Sequence, residues 1–144
     1  MLETAFAPYA GVGLLILRVG LALVFWAHGW PKLNPNGPMK GPGGFAGFLA
    51  QIGVPVPIAF AWLVALLETV GSVLLALGVG TRILALALAI DMLVAIVRVR
   101  RPTGASFSSM QNIGWEFEFA LLVGALALVF TGAGNLALDP LIGL

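Results

Sequence analysis

The feature that most constrains this chain is a series of four apolar windows, at 12–30, 57–79, 82–99 and 113–131. Each is near the length a helix needs to cross a bilayer, since about 30 Å of hydrocarbon takes roughly 20 apolar residues. Lipid offers no water to satisfy a peptide group, so spanning segments must be helices or closed barrels, and the period-2 alternation of a barrel is too weak here. The expected fold is all-α: a single polytopic transmembrane domain over residues 1–144, built as an antiparallel bundle of four helices. Only a few residues at Gly78 to Thr81 separate the second and third windows, which predicts a tight hairpin.

Composition excludes several classes. The chain is 60% hydrophobic and 9% charged, with a formal net charge of +1, so it has no basic field for nucleic-acid phosphates. Cysteine is absent. Disulfides, thiolate metal sites and iron–sulfur clusters of its own are therefore ruled out, and redox work would need a bound cofactor or a partner. One histidine with scattered carboxylates lacks the compact spacing of a zinc or di-iron site, so no metal is expected. The first residues carry Glu3 but no Lys or Arg, and no cleavage site follows the first apolar run, so a removable signal peptide is not expected.

The first connection, 31–56, opens with a Pro- and Gly-rich stretch that cannot be regular helix. Its second half can: Phe45, Phe48, Leu49 and Ile52 follow i, i+3, i+4, i+7 spacing. That predicts a short helix lying in the membrane interface, apolar face down. The third connection, 100–112, is polar and rich in Ser and Thr. The two connections share one side of the bundle and gather Lys32, Lys40, Arg98, Arg100 and Arg101, against Arg82 alone opposite. The positive-inside bias places both connections in the cytoplasm and both termini outside.

Charges that remain inside hydrocarbon face the bundle and pair, because each costs about 2.5 to 3.5 kcal/mol at the centre of a helix. Arg18, Glu68 and Asp91 are such residues, one in each of the first three windows. Counted from the outer end of each window they lie about 9, 16 and 13 Å deep. They are expected to meet in one layer, each on a stripe of small residues that lets helices approach. One cation facing two carboxylates leaves a spare proton site, which suits a relay; a purely structural network that fixes helix register is the alternative.

A second group gathers where the first window ends in FWAHGWPKL and the fourth begins at NIGWEFEFAL. His28 and Glu116, with Trp26, Trp30 and Trp115, offer hydrogen-bonding partners and apolar walls of the kind a quinone head group needs. Interfacial anchoring explains the tryptophans equally well. Glu116 is expected to face the bundle, because it shares a stripe with Ala120, Gly124 and Ala127, leaving Glu118 for the interface.

Taken together, LRVGLALVFWAHGWPKL, LLETVGSVLLALGVGTR, the aspartate of LALAIDML and the closing TGAGNLALDPLIG resemble the DoxX family of small bacterial membrane proteins. The resemblance runs through nearly the whole chain. It implies a four-helix membrane bundle working in a respiratory or redox system, in contact with quinone and with other membrane subunits. The acidic residue typical of the start of the last helix aligns best with Glu116. The expected function is thus an integral subunit or accessory protein of a redox system, with quinone as a non-covalent cofactor. A non-catalytic assembly subunit of a larger membrane complex, or a small transporter, is the alternative.

Overall fold

The computed structural model describes residues 2–109 and 114–143, and among these there is no strand. A short helix α1 (Leu2–Phe6) and a 3-10 turn (Ala7–Tyr9) lead into α2 (Ala10–Leu33). Helix α3 (Gly41–Gln51) lies within the first connection. Helix α4 (Pro57–Leu66) widens through a π-helical turn (Leu67–Gly71) into α5 (Ser72–Leu77). Helix α6 (Thr81–Val94) widens into a second π-helical segment (Ala95–Arg100), and α7 (Glu116–Thr131) follows. Ile113, the expected start of the fourth window, lies outside the described residues.

Two stretches, Thr4–Leu33 and Pro57–Leu77, are long and apolar enough to cross a membrane as continuous helices. The other two windows form helices that fall short of that test. Residues 81–100 carry Arg82, Asp91, Arg98 and Arg100, and the 16 residues of α7 rise about 24 Å against about 30 Å of hydrocarbon.

The hairpin forms as expected, through backbone chemistry. Gly78 (φ 69°) ends α5 in the left-handed region, and the Val79 N–H returns to the Leu74 carbonyl, closing the helix in a Schellman-type turn. A side chain is barred there on a second count, because a Cβ at Gly78 would fall 2.1 Å from Arg18 Nη1. At the opposite end of α2, a Cβ on Gly29 would meet the Glu68 Cβ at 2.6 Å, so its absence lets α2 close onto the π-helical turn.

Each helix buries one stripe and exposes the rest. Along α4 and α5 the buried stripe is Ala61, Ala65, Glu68, Ser72 and Leu75; along α6 it is Thr81, Ala85, Leu88, Ala89, Met92 and Ile96. The outward faces carry Ile83, Leu86, Ile90, Leu93 and Val97, while Arg18 is 0% and Glu68 1% exposed. Branched apolar side chains outside and charges inside invert a water-soluble bundle, and suit hydrocarbon as the surrounding solvent.

Two expected faces are corrected. Helix α3 does not turn its apolar face to lipid: Phe45 and Leu49 are buried against Ala61 of α4, with Ile52 and Val54 beside them. An apolar protein surface lay within reach, and covering both at once removes more area from water. On α7 the buried stripe is Glu118, Leu121, Ala125 and Leu128, so Glu118 rather than Glu116 faces the bundle. Its neighbour α6 already supplies small residues at Ala85 and Ala89, so α7 can present leucines to them instead of its own small face.

Candidate functional site

The polar interior divides into two groups at opposite ends of the bundle. At the hairpin end, Arg18 donates from Nη1 to the Ala76 carbonyl and from Nη2 to that of Leu136, a residue 118 positions away. The segment after α7 is thereby drawn across the α5–α6 turn, where its Leu138 and Asp139 N–H groups bond the carbonyls of Leu77 and Gly78. Asp139 completes the latch. Its carboxylate accepts from the Gly80 N–H at 2.6 Å and the Thr81 N–H at 3.0 Å, capping the first turn of α6 from a distant part of the chain. Burial alone would raise the Asp139 carboxyl. The Thr81 and Gly80 donors, with the Arg18 guanidinium opposite, outweigh it and hold the group below the usual carboxylate range. Arg82 does the reverse service for α7, donating to the terminal carbonyls of Val129 and Phe130 at 2.5 and 3.0 Å.

At the connection end, Lys32 in the last turn of α2 forms an ion pair with Glu68, which the π-helical turn carries into the bundle. Asp91 of α6 stands in electrostatic contact with both and in side-chain hydrogen-bond contact with Glu68, while its Oδ2 is buried with no hydrogen-bond partner. Closer to the connection, Arg100 holds Glu118 at 2.6 Å, and Glu116 reaches Ser108 at 3.4 Å. The Oε2 atoms of both glutamates are likewise buried and unpartnered. Inside this half of the bundle two cations, Lys32 and Arg100, face four carboxylates.

The expected single layer of Arg18, Glu68 and Asp91 is therefore not formed. Glu68 and Asp91 do meet, but Lys32 is their cation. Arg18 and Lys32 are 14 residues apart on α2, about 21 Å of rise. The helices do not end in a common plane, because the stretch Thr4–Leu33 is nine residues longer than Pro57–Leu77 and overhangs it. Arg18 consequently lies level with Ala76, near the end of α5, rather than with Glu68.

The aromatic group is also divided. Trp26 and Trp30 stack on each other at 5.8 Å, both largely exposed on the outside of α2. The His28 ring lies 5.4 Å from Phe117 of α7, with its Nδ1 2.8 Å from the Val24 carbonyl. Trp115 packs edge-on against Phe107 and Phe119. His28 and Glu116 thus sit on the same end of the bundle with separate partners. Beside Trp26, an apolar groove of about 320 Å³ runs between α2 and α5, lined by Val19, Leu23, Val73 and Leu77 among others.

Lys32 and Asp139 are the residues that reasoning from charge depth passed over. Both lie outside the hydrophobic windows, one just past the end of the first and the other in the closing segment. Both stand within the motifs that resemble the family, and that was the available signal. Among the described residues no group of three or more His, Asp or Glu is placed to hold a metal ion.

Comparison with known proteins bears on the whole arrangement. The sequence model of the DoxX family matches residues 13–101, which include Arg18, Lys32, Glu68 and Asp91. A Bacillus subtilis protein named "Putative oxidoreductase CatD" is 34% identical over 131 residues, 91% of this chain and 87% of the relative. The uncharacterised membrane protein Rv3486 of Mycobacterium tuberculosis is 33% identical, with 87% of this chain and 78% of the relative covered. The inner membrane protein YphA of Escherichia coli is 29% identical, with 88% and 87% covered. No solved structure matches the chain.

Proposed function

This chain belongs to the DoxX family of membrane proteins, and on that premise we propose that it is a four-span membrane subunit of a redox system that exchanges protons with a quinone-type ligand at the connection end. The observation that carries the reading is Asp91 Oδ2, buried without a partner beside the Lys32–Glu68 pair. One ammonium can balance one carboxylate. The second must be balanced by a proton or by a group brought in from outside, because two ionised acids beside one cation are too costly in low dielectric. A reduced quinone carries such protons on its oxygens, and a site that alternates between sharing and releasing one suits its chemistry.

The surroundings support the same ligand. The groove at Trp26 is apolar, lies on the lipid-facing side of α2 and α5, and reaches within about one helical turn of Gly29, which packs on Glu68. It has room for the tail of a quinone. His28 and Glu116 lie at the same end as further proton-exchanging groups, and Trp30 extends the aromatic wall. The name of the Bacillus subtilis relative is consistent with a redox role.

Titration of the purified protein in nanodiscs with short-chain quinones, read through tryptophan emission, tests this reading. Saturable quenching is expected, weakened in Asp91→Asn and retained in Arg18→Lys. An emission that is indifferent to a series of quinones removes the ligand.

A further inference from the structure

Helix α3 closes over the connection end, and the backbone on either side of it is strained. Before it, Lys40 (φ 54°) and Gly41 (φ 67°) are both left-handed; after it come Gly53 (φ 73°) and Val56 (φ 47°). The glycines adopt this conformation freely, whereas Lys40 and Val56 do not. Val56 is the more constrained, being branched at Cβ and followed by Pro57, whose ring also restricts the residue before it. Such strain persists only where surrounding contacts impose it, and it collects at switch regions.

Those contacts run from α3 to α4 and to the end of α2. Phe45 and Leu49 pack against Ala61, and the Lys32 ammonium sits 5.2 Å from the centre of the Phe45 ring while it pairs with Glu68. Phe45 is only 4% exposed. It therefore lies against the Lys32 side of the ion pair, and its ring face attracts the same cation that Glu68 holds. Lifting α3 would uncover Lys32 and relax Lys40 and Val56 at once. The closed arrangement is held by this aromatic contact and by the apolar packing of α3 on α4, against strain at both ends, the opposition from which a two-position element is built.

We propose that α3 is a lid over the Lys32–Glu68–Asp91 cluster, with Phe45 as the positioning residue that holds Lys32 against Glu68, and with Lys40 and Val56 as strained hinges. The ligand it admits is one that offers an oxygen, a quinone carbonyl or phenolate, to the Lys32 ammonium in place of the Phe45 face. This rests on the reading of the cluster as a ligand site, but the movement itself is measurable without a ligand.

The chain has no cysteine, so Leu49→Cys places a single thiol under the lid, and its reaction rate with a soluble maleimide in nanodiscs reports the open fraction. Glycine at a hinge removes strain from the closed state, so Val56→Gly and Lys40→Gly in this background are each expected to slow labelling about tenfold. Phe45→Ala and Lys32→Met, which remove the two halves of the aromatic contact, are expected to accelerate it about tenfold. A thiol at Leu75→Cys, in the fully buried core, stays protected throughout if the opening is local. Hinge variants that label at the parent rate or faster overturn the lid, as does acceleration shared by the Leu75→Cys thiol. If tryptophan emission ignores quinones while labelling follows the expected order, the ligand falls and the lid stands; the converse pattern leaves the ligand and removes the lid.

Discussion

The two ends of this bundle use charge in opposite ways. At the hairpin end Arg18 and Asp139 are spent on the backbone: the guanidinium takes two carbonyls, the carboxylate takes two N–H groups, and the products are a capped helix and a pinned closing segment. At the connection end, Lys32 and Arg100 face four carboxylates, and Asp91, Glu116 and Glu118 each keep a buried oxygen without a partner. The first pattern is that of a structural fastening, one cation opposite one carboxylate, although Arg18 Nε and Thr81 Oγ1 are also buried there without partners. The second leaves carboxylate oxygens without partners among the described residues, and the proton-exchanging site proposed above rests on that excess. Charges inside the bundle thus differ in meaning by what is left over after pairing.

The strongest way to break the comparison is to remove Arg18. Arg18→Met strips two buried carbonyls of their donor and Asp139 of its counter-charge, and should cost about 3 to 5 kcal/mol, read as unfolding in detergent. Quinone titration of the surviving folded fraction should be unchanged; a loss of binding equal to that in Asp91→Asn would show that the ends are not independent.

Next in size is Asp139→Asn, expected to cost about 1.5 to 3 kcal/mol, as for hydrogen bonds to a charged group. Its pH dependence sharpens the contrast. Asp139 is held below its unfolded value, so its contribution is complete above the ordinary aspartate range, near about pH 4, and is lost as pH falls through the lower folded value. Thermal unfolding of the wild type should therefore fall off on the acid side more steeply than that of Asp139→Asn. Parallel acid profiles would mean that the latch does not depend on the carboxylate's charge.

Within the connection end, Glu68→Gln and Asp91→Asn should not add. Either acid can serve Lys32 when the other is neutralised, so each single change is mild and the double change leaves the ammonium unbalanced. A coupling of about 0.5 to 3 kcal/mol is expected from a double-mutant cycle, and additive costs would show that Asp91 does not share the cation. The smallest effect belongs to Arg100→Gln. The Arg100 side chain is 29% exposed, and a partly solvated pair is worth about 1 kcal/mol or less. A larger loss would place Arg100 with the matched charges of the other end.

Much of the fold was legible before any coordinates. Helices lie within the four hydrophobic windows, two of them long and apolar enough to cross a membrane, Gly78 and Gly80 mark the turn, and the spacing of Phe45 and Leu49 marks the short helix in the connection. The candidate site was legible only in part. Glu68 and Asp91 stand beside each other, with Lys32 rather than Arg18 as their cation. On α7, the helical period separated Glu116 from Glu118 but could not say which of the two faces met protein.

The reason is geometric. A sequence by itself determines local quantities: where backbone bonds close into a helix, which residues share a stripe, and that a charge inside an apolar window must find a partner. It does not determine how far one helix slides along its neighbour. That axial offset, set here by the overhang of the first helix and by the close approach at Gly29, decided that Arg18 meets Ala76 and that Lys32 meets Glu68. It also brought Leu136 and Asp139 back to the first hairpin across most of the chain's length. Only tertiary packing fixes such an offset, because shifting a helix by one turn keeps its buried stripe and its apolar burial while exchanging the partner of every charge.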